Sequence, residues 1–95
     1  MAYAVIHHFP GGTKEQYEAG IAASHPGGKH PEGQFFHAAG PSPGGWTIVG
    51  VHDTKESYER FLNNVLIPLA QKGGVPGGFT TMPVETAFET HALFK

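Results

Sequence analysis

Short apolar runs alternate with glycine- and proline-rich breaks along this chain. Residues 3–9, Tyr-Ala-Val-Ile-His-His-Phe, are β-branched and aromatic and predict a strand. Thr13-Lys14-Glu15-Gln16 then offers a Thr-x-x-Gln capping box, opening a helix with Tyr17 and Ile21 four apart on its apolar side and Ala22 beside them. Residues 34–39, Gln-Phe-Phe-His-Ala-Ala, predict a second strand, and residues 46–52, Trp-Thr-Ile-Val-Gly-Val-His, a third, close enough to form a hairpin. Asp53-x-x-Glu56 predicts the cap of a helix from Thr54 to about Lys72, with Tyr58, Phe61, Leu62, Val65 and Leu69 at helical spacing. Pro68 lacks a backbone donor and should kink that helix or split off its last turn. Residues 85–94 alternate well enough to predict a fourth strand.

Pro-Gly-Gly occurs four times, at Pro10, Pro26, Pro43 and Pro76, and each copy falls between predicted elements. The residues after each copy differ, so the motif is not a solenoid repeat. None continues into Lys-Ser or Lys-Thr, as a phosphate-binding loop would. Proline sets its own φ and glycine accepts positive φ, so these triplets punctuate the fold. The resulting order, β-α-β-β-α-β, predicts a ferredoxin-like α+β domain spanning residues 1–95: a four-stranded antiparallel sheet with both helices on one face. A solvated second face would show apolar residues alternating with charged ones. Here Tyr3, Val5 and His7 share one face of the first strand and Ala4, Ile6 and His8 the other, while Phe35 opposes Phe36 and Trp46 opposes Val49. Both faces are therefore expected to be buried. A 95-residue chain has a thin core, so a second copy packing sheet to sheet is the expected cover.

Composition narrows the function. The net charge is −2 and Arg60 is the lone arginine, which argues against nucleic acid as a partner. With no cysteine, neither disulfides nor thiolate metal sites can form, consistent with a reducing, cytoplasmic compartment. No export signal is read at Met1-Ala2-Tyr3, and no apolar run approaches the ~18 residues of a membrane span, so no membrane partner is expected.

Together with the β-α-β-β-α-β order and the length, the run Gly45-Trp46-Thr47-Ile48-Val49-Gly50-Val51-His52-Asp53-Thr54-Lys55-Glu56-Ser57-Tyr58-Glu59-Arg60-Phe61 resembles the dimeric α+β barrel superfamily, which includes antibiotic-biosynthesis monooxygenase-like proteins and stress-responsive barrels. The resemblance implies a homodimer whose two sheets form a barrel, with a pocket between sheet and helices or inside the barrel. Some relatives oxygenate aromatic polyketides without metal or flavin; others degrade haem, isomerise lactones, or have no known activity. The haem-degrading pattern is not met, because the second helix has no histidine and carries Asn63 and Asn64 at its middle. No arginine is placed to hold a substrate carboxylate, since Arg60 sits on a helix near Glu59.

Seven histidines carry the candidate chemistry. His7, His37, His52 and His91 fall on or at the end of predicted strands; His25 and His30 are expected in solvent after the first helix. A neutral imidazole in an apolar pocket can take a proton from a substrate near neutral pH. His7 and His37 are the first candidates for this base, followed by His52 and His91. Phe35, Trp46 and Phe88 would wall a flat ligand, and Tyr3 would donate to a developing oxyanion. No His-x-His or His-Glu-x-x-His spacing is present, so neither metal nor cofactor is expected. Glu85, Glu89 and His91 share one strand face and are expected at a solvated or interface rim. The expected function is thus a small-molecule enzyme or binder for an apolar, aromatic compound, working as a cofactor-independent monooxygenase or by proton transfer. The alternative is a non-catalytic dimeric barrel protein, structural or stress-related, in which these side chains build only core and interface.

Overall fold

A computed structural model describes residues 2–94. Strand β1 (Tyr3–Pro10) leads into helix α1 (Lys14–Ser24), followed by the hairpin of β2 (Gln34–Ser42) and β3 (Gly45–His52). Helix α2 (Lys55–Phe61) continues through a π-helical segment (Leu62–Leu66) into α3 (Ile67–Gln71), and β4 (Val84–Glu89) closes the sheet. The strand order is β2-β3-β1-β4, antiparallel throughout, which is the ferredoxin-like arrangement.

The local signals act largely as their chemistry requires. Thr13 and Gln16 form the reciprocal capping box of α1. The second helix is capped by Thr54, one residue later than expected, its hydroxyl accepting from the Ser57 backbone N–H. The kink or split expected at Pro68 is taken up in the turn before it. Proline crowds the carbonyl four residues back, here that of Asn64, and the π-helical widening lies across that position. Each Pro-Gly-Gly places its first glycine at positive φ: 70° at Gly11, 70° at Gly27, 82° at Gly44 and 78° at Gly77.

The fourth strand is shorter than expected. Its pairing with β1 ends at Tyr3↔Glu89, and Thr90 ties off the edge by donating from its backbone N–H and its hydroxyl to the Ala2 carbonyl. Past that point β1 has no ladder residues left to pair with. His91 therefore lies beyond the strand, exposed, in a bend.

A second departure reorganises β2. Gln34 pairs with His52 and Phe36 with Val51, so Phe35 is an extra residue in a β-bulge. Strict alternation would put Gln34 and His37 on opposite faces. The bulge puts both on the face toward the helices.

That helix-side face carries Val5, His7, Phe9, Ile48, Gly50 and His52, all lining a cavity of about 620 Å³ under the helices. The cavity exists because α1 stands off the sheet. None of its residues is buried, and Tyr17, Gly20, Ile21 and Ser24 line the space instead of filling it. By contrast α2 is pinned to the sheet through Tyr58 and Phe61, 5% and 8% exposed, each such burial contributing about 1.5–3 kcal/mol. The opposite face is apolar over two rows, and His8, Thr47 and Ser42 hydrogen-bond to one another at one end of it. Register aligns Phe36, Val51, Ala4 and Phe88 in one row across all four strands, and Ala38, Val49, Ile6 and Thr86 in the next. Phe36 and Phe88 at the row's ends remain 48% and 49% exposed.

Two glycines should respond oppositely to alanine. Gly33 has φ +87°, and a Cβ there would lie 2.6 Å from Ser57 Cβ. Gly33→Ala should cost about 1–3 kcal/mol in urea unfolding. At Gly20 a Cβ would meet nothing within 4 Å, so Gly20→Ala should gain about 0.5–1 kcal/mol from helix propensity while shrinking the cavity. Equal effects at the two positions would contradict this packing.

Candidate functional site

Two polar groups stand on the cavity floor, with Val5, Ile48 and Gly50 between them and the Tyr58 ring, 5.2 Å from that of His52, touching both. The first spans β1, β4 and α2. His7 Nε2 lies 2.8 Å from Glu85 Oε2, and the Tyr58 hydroxyl donates to the same oxygen at 2.8 Å. The hydrogen bond from His7 is the main cause holding the Glu85 carboxyl below its ordinary range; burial opposes it and the Tyr58 bond assists. Burial, then the Glu85 contact, pushes the Tyr58 phenol well above its usual range, so it remains a donor. An ionised Glu85 receives the His7 Nε2–H, and in the neutral tautomer of the ring this puts the lone pair on Nδ1.

The second group gathers around Gln34. His25 Nε2 and His30 Nδ1 lie 2.9 and 3.0 Å from Gln34 Oε1, and Gln34 Nε2 lies 3.3 Å from His52 Nε2. With the amide so oriented, the oxygen accepts from His25 and His30, and the NH₂ donates to His52. The remaining His52 nitrogen, Nδ1, then carries hydrogen. It is buried without a hydrogen-bond partner, in a side chain whose residue is 1% exposed. Ser24 Oγ lies 2.9 Å from His25 Nδ1. His37 Nε2 lies 2.7 Å from the Tyr17 hydroxyl, and the His25 and His37 rings are 4.8 Å apart. Gly50 is what admits this packing: a Cβ there would come within 3.2 Å of Gln34 Nε2. Such a glycine inside a central strand marks close approach by another group.

Burial lowers the pKa of His25, His37 and His52 alike. In His25 the Gln34 hydrogen bond opposes it and His30 adds to it; in His37 the neighbouring His25 and His30 add to it. In His52 Asp53 opposes the shift, while His25 and His30 reinforce it. Three neutral imidazoles thus share one end of the cavity. Among the described residues no group of three or more His, Cys, Asp or Glu is arranged to hold a metal ion.

The expected site residues separate. His7, His37 and His52 line the cavity; His91 does not. Trp46 is buried, stacked on Tyr17 at 5.4 Å between centroids, behind the lining, and its Nε1 has no hydrogen-bond partner. Tyr3 packs on Tyr58 at 5.9 Å, outside the lining. Phe88 belongs to the opposite sheet face, and Phe35, in the bulge, is 38% exposed; neither walls the cavity. Those walls are Tyr17, Phe61, Leu62, Leu66 and Leu69, with Phe9 stacked on Phe79 at 3.8 Å near the rim. His25, expected in solvent, is 8% exposed, because the turn at Pro26–Gly28 folds it back onto Gln34. Glu85 is exposed, as expected of a rim, and is also hydrogen-bonded to His7 and Tyr58. The alternation of β4 already placed Glu85 on one face; its pairing with His7 required the β1–β4 register, His7↔Glu85. Gln34 gave no signal, because its role depends on the bulge.

A solved structure shares this architecture. A structure described as "Putative antibiotic biosynthesis monooxygenase" from Bordetella bronchiseptica matches with a TM-score of 0.65, covering 96% of this chain and 98% of that one. The two chains have one fold. They are 17% identical, so the likeness speaks to architecture. No family model matches the sequence, and no curated protein matches it. No helix among the described residues is long and apolar enough to cross a membrane.

A histidine with a lowered folded pKa is protonated more readily in the unfolded chain. Its stabilising contribution is complete above the ordinary value of 6.5 and is lost as pH falls through the lowered folded value. Glu85 adds a loss of the same sign only below its ordinary 4.5. The Tm should therefore fall between pH 7 and pH 5, and His37→Gln should flatten that fall. A Tm that is level across this window would contradict the buried neutral cluster.

Proposed function

We propose that the chain is a small-molecule enzyme that binds an apolar, aromatic compound in the cavity between sheet and helices. The observation carrying this reading is His7, a cavity-lining imidazole oriented by Glu85, which Tyr58 in turn holds. A base positioned by a carboxylate in this way is a common catalytic device. The cavity volume of about 620 Å³ lies within the ~300–1,000 Å³ of small-molecule sites and favours a binder or enzyme over a purely structural barrel. The monooxygenase reading is taken from the fold shared with the structure described as "Putative antibiotic biosynthesis monooxygenase".

The proposed chemistry is oxygenation of a phenol without a cofactor. His7 Nδ1 takes the phenolic proton, which makes the ring electron-rich. Dioxygen adds at a ring carbon and water is lost. One oxygen atom becomes the new carbonyl of a quinone, the other leaves as water, and both hydrogens of that water come from the phenol. His37 is less suited as the base, because its Nε2 lies against the protonated Tyr17 hydroxyl and accepts from it.

A panel of naphthols and hydroxyanthracenes tests this reading. A ligand at a hundred times its Kd should stabilise the fold by roughly 2.7 kcal/mol. His7→Gln should retain that stabilisation while lowering dioxygen uptake about 10²- to 10⁴-fold. A panel without any stabilising member, or a His7→Gln variant with full turnover, would sink it.

The apolar sheet face motivates a second proposal, that another copy of the chain covers it. Phe36 and Phe88, half-exposed at either end of one apolar row, are the natural anchors of such a contact. Sedimentation should find a dimer at micromolar concentration, and Phe36→Asp with Phe88→Asp should give folded monomers. A wild-type chain that sediments as a monomer would overturn the pairing.

A further inference from the structure

We infer that the π-helical turn before Pro68 selects ligand size in the cavity, by turning Leu66 and Ala70 onto its wall and Val65 off it. This names a specificity determinant for the site proposed above and rests on that cavity being a binding site.

The departure begins at Pro68. It has no N–H to offer the Asn64 carbonyl, and its ring crowds that oxygen. The chain responds one residue earlier. The Ile67 backbone N–H donates to the Leu62 carbonyl, five residues back, where an α-helix would reach four. One extra residue is thereby taken into the turn. An α-helix advances about 100° per residue, so a regular helix would put Ala70 about 180° from Phe61, on the opposite side. Across a five-residue π-helical turn the advance is about 80° per residue, which brings Leu66 to about 40° and Ala70 to about 80° from Phe61.

The cavity wall follows the wider turn. Phe61, Leu62, Leu66, Leu69 and Ala70 all line the space. Val65, which regular helical spacing would also place near Phe61, instead lines a smaller cleft of about 230 Å³ with Pro31, Glu32, Ser57 and Arg60. The exchange matters for size. In a regular helix the direction that Ala70 takes, about 80° from Phe61, would belong to Leu69. A methyl group therefore stands where an isobutyl group would, and Gly74 also lines the cavity beyond it. Ala70 is exposed, so the room it leaves lies at the cavity's edge, where a longer ligand would extend.

Two substitutions that each create a leucine test this assignment, Ala70→Leu and Val65→Leu, with Pro68→Ala as a third variant. Each folded variant and the wild type are titrated with 2-naphthol and 2-hydroxyanthracene, phenols of two and three fused rings. Ala70→Leu should weaken the three-ring phenol about tenfold relative to the two-ring one, and Val65→Leu should change neither. Pro68→Ala restores the missing donor and should shift the preference in the same direction as Ala70→Leu. Loss of the three-ring phenol at Val65→Leu with Ala70→Leu silent overturns the assigned register. A folded Pro68→Ala variant with wild-type preference overturns the turn as the selecting element. Wild type that binds both phenols, with neither leucine altering the preference, overturns the selection and keeps the cavity as a binding site. Failure of both phenols to bind the wild type overturns the cavity reading and this inference with it.

Discussion

The site depends on one inserted residue. Phe35 is the extra residue of a bulge in β2, and the shift in register turns the chain so that Gln34 and His37 face the same way. In a regular strand one of them would point to the opposite sheet face, and the cluster with His25, His30 and His52 could not form. The bulge lies at the start of an edge strand, where a broken ladder costs least.

Around that feature the fold supplies space by under-packing. Helix α1 brings no buried side chain to the sheet, whereas α2 is pinned by Tyr58 and Phe61. The asymmetry leaves a cavity beneath α1 whose floor is the sheet and whose wall is the helix passing through the π-helical turn. Small residues keep it open: Gly20 on the helix and Gly50 on the strand both line it. Gly20 gives up helix propensity and leaves open space beside the cavity.

The two polar groups on the floor divide the chemistry. Beside β4, an ionised carboxylate orients one histidine and leaves a lone pair available. Beside β2, histidines held neutral by burial and by each other share a single amide. The two environments differ because one histidine is hydrogen-bonded to a carboxylate, whereas in the other group burial outweighs the nearby Asp53.

The element order was legible in the sequence because hydrophobic period, capping residues and Pro-Gly-Gly breaks are local properties that act through a few neighbouring residues. So was the absence of a charged, solvated face on the first three strands, and so were His7, His37 and His52 as strand histidines, although the face that each takes waited on register and bulge. Tertiary structure decided what depends on register and contact. Phe88 and Phe35 do not wall the cavity, His91 falls past the last ladder pair, His25 turns inward, and Glu85 meets His7 across β1 and β4. Each of these outcomes turns on which residue of another strand or helix lies opposite. A bulge or a shortened ladder changes that by one position while leaving the local pattern of residues unaltered.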